Sequence, residues 1–404
     1  METRLAAGST LGVLGVGQLG RMFADAAHAL GYRVHTLGPA ADAPAVQVAD
    51  EHTRADYDDL DAVGRFARAV AVVTYEFENV PAATAAACAA HAPVLPGPHV
   101  LAVAQDRVRE KTTLRDHGVA VGPFAPVGSE SELRNAIQQI GLPGVLKTAG
   151  GGYDGKGQRV LRSDADAVYG WEDLGRRPCI YEAFVDFAQE LSVVAARSRG
   201  GEVRCFGPIA NTHRNHILDV SVLPAGVPQN VADEAVATAT RIVAALDVVG
   251  VLCVEFFELR EPAEGGARVL VNELAPRPHN SGHLTIEACP ASQFEQQVRA
   301  VAGLPLGDPT PQQPAAMVNL LGDLWPPPPG SSHSDPGSSR GAVEPDWSLV
   351  QSDHLHLHLY GKTDPRPGRK MGHLTALART PHEAIRDAVE ARARLTPYAG
   401  LTPD

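Results

Sequence analysis

The order of apolar and polar positions divides the chain into strands and helices that begin as a βα layer. Leu11 to Val16 is a short apolar run of the buried-strand type, Arg21 to Leu30 repeats apolar residues at helical spacing, and Arg33 to Leu37 is a second strand. Between them, Gly15-Val16-Gly17-Gln18-Leu19-Gly20 has the G-x-G-x-x-G spacing of a Rossmann-like turn. A dinucleotide site would place an acid at the end of the second strand. Here that strand runs into Gly38-Pro39 with Asp42 as the next acid, so a phosphate or ribose of another ligand is expected at the loop. A third strand, Ala69 to Thr74, delivers Glu76 just past a carboxyl end, where open α/β sheets bind ligands. The same carboxylate could instead answer the dipole of a helix predicted over Pro81 to Ala90, a role that suits Glu78 better.

After the proline-rich break Pro93 to Pro98, a helix opens at Gln105 to Lys111 with a strongly charged first turn. Its Arg107 either reaches outward to an anion or pairs with Glu110 at helical spacing. Val119 to Pro126 is extended, and Ser129 to Ile140 is a helix with Ser129 and Glu132 spaced as a capping box. The apolar pair Val145-Leu146 then carries Lys147 into Gly150-Gly151-Gly152-Tyr153-Asp154-Gly155-Lys156-Gly157-Gln158. Glycines let several backbone N–H groups converge on one oxygen cluster, and two lysines offset its charge. A flexible linker would use serine and would not start from a strand lysine, so a phosphate cradle is the favoured reading, though not one of Walker spacing.

Downstream, Cys179 to Val185 is a strand that feeds an extended hinge, followed by Gln189 to Val194. An adenine read by such a hinge, with Glu190 on ribose hydroxyls, is one arrangement; an exposed strand residue at Glu190 is the other. Val251 to Phe257 and Arg268 to Leu274 form hairpin-related strands that each set one acid, Glu255 and Glu273, among apolar neighbours. Buried carboxylates need a cation, either Mg²⁺ bridging phosphates or a neighbouring Lys or Arg, and the upstream loop favours the metal. The two prolines of Ala275-Pro276-Arg277-Pro278-His279 stiffen the loop that presents Arg277 and His279, which suggests catalysis.

Near the end, residues Trp325 to Pro345 are rich in Pro, Ser and Gly and predict a surface insertion without a part in the mechanism. His354, His356 and His358 alternate on one strand face, which is expected to be exposed rather than a zinc site because no acid or cysteine accompanies them. Lys362 and the run Arg366 to Lys370 form the densest basic cluster and suit a substrate phosphate.

Composition narrows the field. A length of 404 residues implies two or three domains, and 44% hydrophobic with 20% charged residues describes an ordinary globular protein. The net charge of −12 argues against nucleic acid or an anionic membrane surface as partner. Five cysteines without a Cys-x-x-Cys pair read as reduced core thiols of a cytoplasmic protein, and neither a signal peptide nor a membrane span is indicated.

Together the segments Gly17 to Met22, Glu76 with Glu78 to Pro81, Gly151 to Gln158, Asn272 to Arg277 with His279 to His283, and Arg366 to Lys370 resemble the ATP-grasp superfamily. More narrowly, they resemble the 5-(carboxyamino)imidazole ribonucleotide synthase family. That resemblance implies an α/β ATP-grasp fold. Residues 1–104 would be a Rossmann-like, substrate-binding domain, 105–308 the two-lobed ATP-binding domain, and 309–404 a small β-rich domain carrying the 325–345 insertion. It implies ATP-driven carboxylation of aminoimidazole ribonucleotide by bicarbonate, with Mg²⁺ or Mn²⁺ and without biotin, in a homodimer. The ATP positions would be Arg107, Lys147, Gly152 to Gln158 (Gly152, Tyr153, Asp154, Gly155, Lys156, Gly157, Gln158), Glu182, Ala183, Phe184, Val185, Glu190, His213, Asn272 and Glu273, with Glu255 and Glu273 on the metal. Substrate would meet Gly17, Gln18, Leu19, Glu76, Tyr153, Arg277, Lys362 and Arg369, and catalysis would fall to Arg277, His279, Lys362 and Asp154. Two positions depart from the family pattern: Val16 stands where many relatives carry glycine, and Ala275 where wider ATP-grasp enzymes place a metal-binding asparagine. The competing readings are another ATP-grasp carboxylate–amine ligase and a nucleotide-binding module without turnover.

Overall fold

In the computed structural model, which describes residues 4–151, 157–325 and 343–395, the chain starts with four parallel strands. They are β1 (Thr10–Leu14), β2 (Arg33–Gly38), β3 (Glu51–Arg54) and β4 (Val72–Tyr75), ordered β3-β2-β1-β4. Central β1 is buried on both faces, which is why it reads as a continuous apolar run. Helices α1 (Gln18–Ala29), α2 (Leu60–Arg68) and α3 (Ala82–Ala89) belong to this layer, with Asp59 capping α2 by accepting from the Ala62 N–H at 2.9 Å. Two boundaries differ from the reading above: α1 starts at Gln18, directly on the glycine turn, and β4 starts at Val72 because Ala69 still closes α2.

Helices α4 (Pro98–Ala104) and α5 (Arg107–Asp116) lead into a second, antiparallel sheet of β5 (Phe124–Val127), β6 (Gly144–Thr148), β7 (Gln158–Leu161) and β8 (Cys179–Ala183), ordered β5-β8-β6-β7. Helices α6 (Glu130–Ile140) and α7 (Asp164–Asp173) cover one face. Period-two alternation in β6 sends Leu146 into that core, where burial of such a side chain stabilises by roughly 1.5–3 kcal/mol, and turns Lys147 to the opposite face. The expected capping box of α6 is only half made. Ser129 accepts from the Glu132 N–H, but the Glu132 carboxylate accepts from Gly128 instead of Ser129.

The third sheet has eight strands: β9 (Phe187–Arg197), β10 (Val203–Arg214), β11 (Ile217–Leu223), β12 (Gly250–Leu259), β13 (Val269–Ala275), β14 (Ala315–Leu321), β15 (Leu355–Leu359) and β16 (Lys370–Leu377), in the order β13-β12-β9-β10-β11-β14-β16-β15. The C-terminal strands therefore continue the sheet of β9 to β13 through the pairing of β11 with β14. Helices α8 (Gln229–Ala245) and α11 (Pro381–Arg394) pack on one face. The other face meets a 3-10 turn at Asn280–Leu284, the short α9 (Thr285–Ala288) and α10 (Gln293–Ala302). No helix among the described residues is long and apolar enough to cross a membrane, and all five cysteines are free, four of them buried.

Candidate active site

The three sheets enclose a cavity of about 580 Å³. From the N-terminal layer it takes Gly17 to Leu19, Glu76 and Glu78, from the second sheet Lys147, Gly150, Gly151 and Gln158, and from the third Glu190, His213, Glu255, Asn272, Glu273, Arg277, His279 and Lys370. Residues 152–156 of the glycine loop, including Tyr153, Asp154 and Lys156, lie outside the described residues, as do 326–342 of the Pro/Ser/Gly stretch.

The two carboxylate strands pair antiparallel with Glu255 directly opposite Glu273, so both side chains leave the sheet on one face. Each has a cationic partner in the fold. Arg107 donates to Glu273 at 2.8 Å, and His279 Nε2 lies 2.8 Å from Glu255 Oε1. Arg107 thus reaches across the cavity and does not form the helical pair with Glu110. The Glu110 carboxylate accepts instead from the Leu274 N–H at 2.9 Å, and its other oxygen is buried without a partner. Burial raises Glu110 above the usual carboxylate range despite Lys111 and Arg107, whereas for Glu273 burial is outweighed by Arg107, which holds it low. Burial also opposes charge on His279, but Cys253 and Glu255 push it up to about 10, so it is an imidazolium at neutral pH and not a ready proton acceptor in this state.

Lys147 donates to Glu182 at 2.7 Å, and against the cost of burial Lys111 and Lys147 hold Glu182 at about 2. Beside it, a narrow slot of about 80 Å³ is lined by Glu182, Ala183, Phe184, Val185, Lys111 and Phe257 and shares Lys147 with the larger cavity. Glu190 is no exposed strand residue: it pairs with His213 at the cavity wall.

At the N-terminal side the structure corrects two expectations. The Gly17 and Gly20 N–H groups both donate to the Glu76 carboxylate, the second at 2.7 Å. Glu76 therefore caps the positive end of α1 instead of α3, and it fills the anion nest where a phosphate was expected. Gly15, at φ +120°, is needed because any Cβ there would collide with Glu76. Glu78 is not a helix-start residue either. It accepts from Arg277 Nε at 2.5 Å, and although burial works the other way, Arg277 holds it at about 2.

The basic cluster splits. Lys370 lines the cavity; Lys362 donates to the Lys370 carbonyl at 2.6 Å and, through burial and nearby Arg369, is lowered to about 8. Arg369 turns to Asp364, donating to its carbonyl at 2.6 Å. The three alternating histidines do not form a plain exposed face. His354 is exposed near Asp387, whereas half-buried His358 meets Glu287 at 2.5 Å and stacks on His373 at 4.4 Å. Sequence reasoning missed Glu78 and Glu110. The period-two spacing of Glu76 and Glu78 was a usable signal for the first, and nothing local marked the second.

Residues 9–105 match the ribonucleotide synthetase preATP-grasp domain, 112–294 the ATP-grasp domain, and 315–387 the phosphoribosylaminoimidazole carboxylase C-terminal domain. The N5-carboxyaminoimidazole ribonucleotide synthase of Bacillus subtilis (strain 168) is 40% identical over 380 residues, covering 94% of each chain. The chain belongs to the N5-carboxyaminoimidazole ribonucleotide synthase family. It is an ATP-grasp ligase, and the resemblance read from its motifs is borne out in fold and family. Among solved structures, an N5-carboxyaminoimidazole ribonucleotide synthetase in complex with ADP superimposes with a TM-score of 0.87 at 38% identity, covering 97% of this chain and 98% of that one. The Aspergillus clavatus N5-carboxyaminoimidazole synthase, in complex with ADP and 5-aminoimidazole ribonucleotide, gives a TM-score of 0.82 at 29% identity, covering 96% and 99%.

Proposed function

We propose that this synthase uses ATP and bicarbonate to carboxylate the amino group of 5-aminoimidazole ribonucleotide, releasing ADP and phosphate. The observation that carries this reading is the shared cavity. The strand lysine Lys147, Gly150, Gly151 and the facing carboxylates open onto the same space as the N-terminal Gly17 to Leu19 turn and Arg277, so a nucleotide phosphate and a second substrate can meet there. A bicarbonate oxygen attacks the γ-phosphorus, the bond to ADP breaks, and carboxyphosphate forms. The substrate amine then attacks the carboxyl carbon, directly or as released CO₂, and phosphate leaves with the C–O electron pair.

Phosphoryl transfer depends on positioning and charge neutralisation, which Lys147, Arg107 and the glycine-loop amides supply. Arg277, oriented by Glu78, holds the bicarbonate-derived anion. His279 in its neutral form receives the amine proton at Nε2, the ring nitrogen that Glu255 holds. A divalent cation fits the carboxylate strands: Glu255 and Glu273 project together, and beside them Asn272 Oδ1 is buried with no hydrogen-bond partner. Glu255, Glu273 and Asn272 would hold Mg²⁺ or Mn²⁺, which would neutralise the phosphate oxygens. Glu182 to Val185 would receive adenine, Glu190 with His213 the ribose, and Gly152 to Gln158, with Tyr153, Asp154 and Lys156, the phosphates and intermediate. Glu76 and Gln18 would meet the second substrate, and Lys362 with Arg369 its 5′-phosphate. The enzyme would work as a homodimer in a reducing cytoplasm, and the five free thiols support the reducing environment. A coupled ATPase assay tests the reading. ADP release should need both bicarbonate and aminoimidazole ribonucleotide to reach its full rate, and release unaffected by the ribonucleotide would refute it.

A further inference from the structure

Behind the cavity runs a buried file of small polar side chains that the mechanism above does not use. Ser221 on β11 donates to Asn211 Oδ1 on β10 at 2.8 Å, and Asn211 Nδ2 donates to Ser192 on β9 at 2.9 Å. Ser192 Oγ lies 2.7 Å from Ser281 Oγ in the 3-10 turn, and Ser281 Oγ lies 2.9 Å from His279 Nδ1. The three serines are completely buried and Asn211 nearly so, beside the apolar core of Val194, Ile209 and Leu284. A row of apolar residues of the same shape would serve that core about equally well, because a hydrogen-bonded polar row has little net advantage over one. The row needs another reason, and its geometry supplies one. Ser192 is the register partner of Glu255, so His279 is gripped at both ring nitrogens by groups tied to neighbouring strands, Nδ1 through Ser281 and Nε2 by Glu255.

We propose that Ser281, backed by Ser192 and Asn211, is a positioning residue for His279. The second torsion of a histidine is broad and roughly two-fold, so the ring does not choose its own orientation. In the neutral, proton-accepting form of His279, with the Asn211 amide donating to Ser192, the Ser192 O–H is free for Ser281 and the Ser281 O–H for Nδ1, which leaves Nε2 directed at Glu255 and the cavity. In the imidazolium the same hydroxyl accepts from Nδ1–H, so the grip holds in both protonation states, which a carboxylate in its place would not allow.

The inference rests on His279 acting in catalysis, and the full-length enzyme can separate the two ideas. Ser281→Ala should lower kcat roughly 10- to 100-fold, the scale of a misoriented catalytic group, with the KM for ATP within about twofold and ADP binding unchanged. Ser281→Thr, which keeps the hydroxyl, should restore part of the rate. Adding Ser281→Ala to His279→Ala should cost nothing further. Ser192→Ala, one link away, carries the same test should Ser281→Ala lose its cooperative melt. Parent-level kcat in Ser281→Ala and Ser192→Ala beside an inactive His279→Ala would overturn the positioning role alone, as would an undiminished Ser281 effect in the His279→Ala background. A fully active His279→Ala would overturn the catalytic reading of His279, and this role with it.

Discussion

Replacing Glu78 by glutamine tests the ion pair that joins the N-terminal layer to the loop of Pro276, Arg277 and Pro278. Glu78 Oε2 sits 2.5 Å from Arg277 Nε, with side-chain exposures of 25% and 16%, so solvent screens the pair little. Arg277 holds the Glu78 carboxyl at about 2 against an ordinary value of 4.5, which makes it a group whose folded pKa is depressed. Its contribution is therefore fully present above the unfolded value near 4.5 and is lost as pH falls through 2. That shift corresponds to about 3 kcal/mol at pH 7, shrinking to about 1 kcal/mol at pH 3. Glutamine keeps the volume and an acceptor oxygen but removes the charge, leaving Arg277 without its counter-ion. Urea unfolding of the parent and Glu78→Gln, followed by tryptophan fluorescence, should show a clear gap in midpoints at pH 7 that narrows by more than half at pH 3. Equal midpoints at pH 7, or a gap of the same size at both pH values, would show that the pair contributes no such charge-dependent stability.

Glu273→Gln should reduce turnover to background while the thermal melt stays cooperative, because it removes one metal-neutralising charge at constant volume; normal rates at ordinary Mg²⁺ concentration would contradict the metal assignment. Because Lys362 loses its proton near pH 8, the KM for aminoimidazole ribonucleotide should rise as pH increases above 8 while the KM for ATP stays level, and a flat ribonucleotide profile from pH 7 to 9.5 would remove Lys362 from the phosphate site. Arg369→Ala should raise the ribonucleotide KM roughly ten- to a hundredfold, the scale of one lost charged hydrogen bond, and an effect confined to ATP would refute that placement. Replacing residues 326–342 by a short glycine bridge should leave kcat within about twofold, since Trp325 and Trp347 already meet at 5.5 Å between ring centroids; an inactive but cooperatively melting variant would assign the segment to the site or to a subunit contact.

What the sequence determined by itself was local. Apolar spacing identified β1 and the start of the α/β layer, two short apolar runs placed Glu255 and Glu273 on paired strands, and the apolar pair before Lys147 marked the strand that leads into the run of glycines. Those signals are legible because strand and helix periods are properties of consecutive residues. Which face meets which is not. Glu76 and Arg107 were each assigned a rival partner nearby in the chain, and each found a distant one: the α1 amides at Gly17 and Gly20, and Glu273. Glu78 reaches Arg277 199 positions away, and Ser192, Asn211, Ser221 and Ser281 have no local signature at all. A charge buried by tertiary packing takes the best counter-charge or amide that packing brings within hydrogen-bond reach, because desolvation makes the unpaired state cost several kcal/mol. Chain separation does not enter that choice. The composition of the cavity wall was therefore largely readable from the chain, whereas the pairing of its charges was decided only when three sheets closed around it.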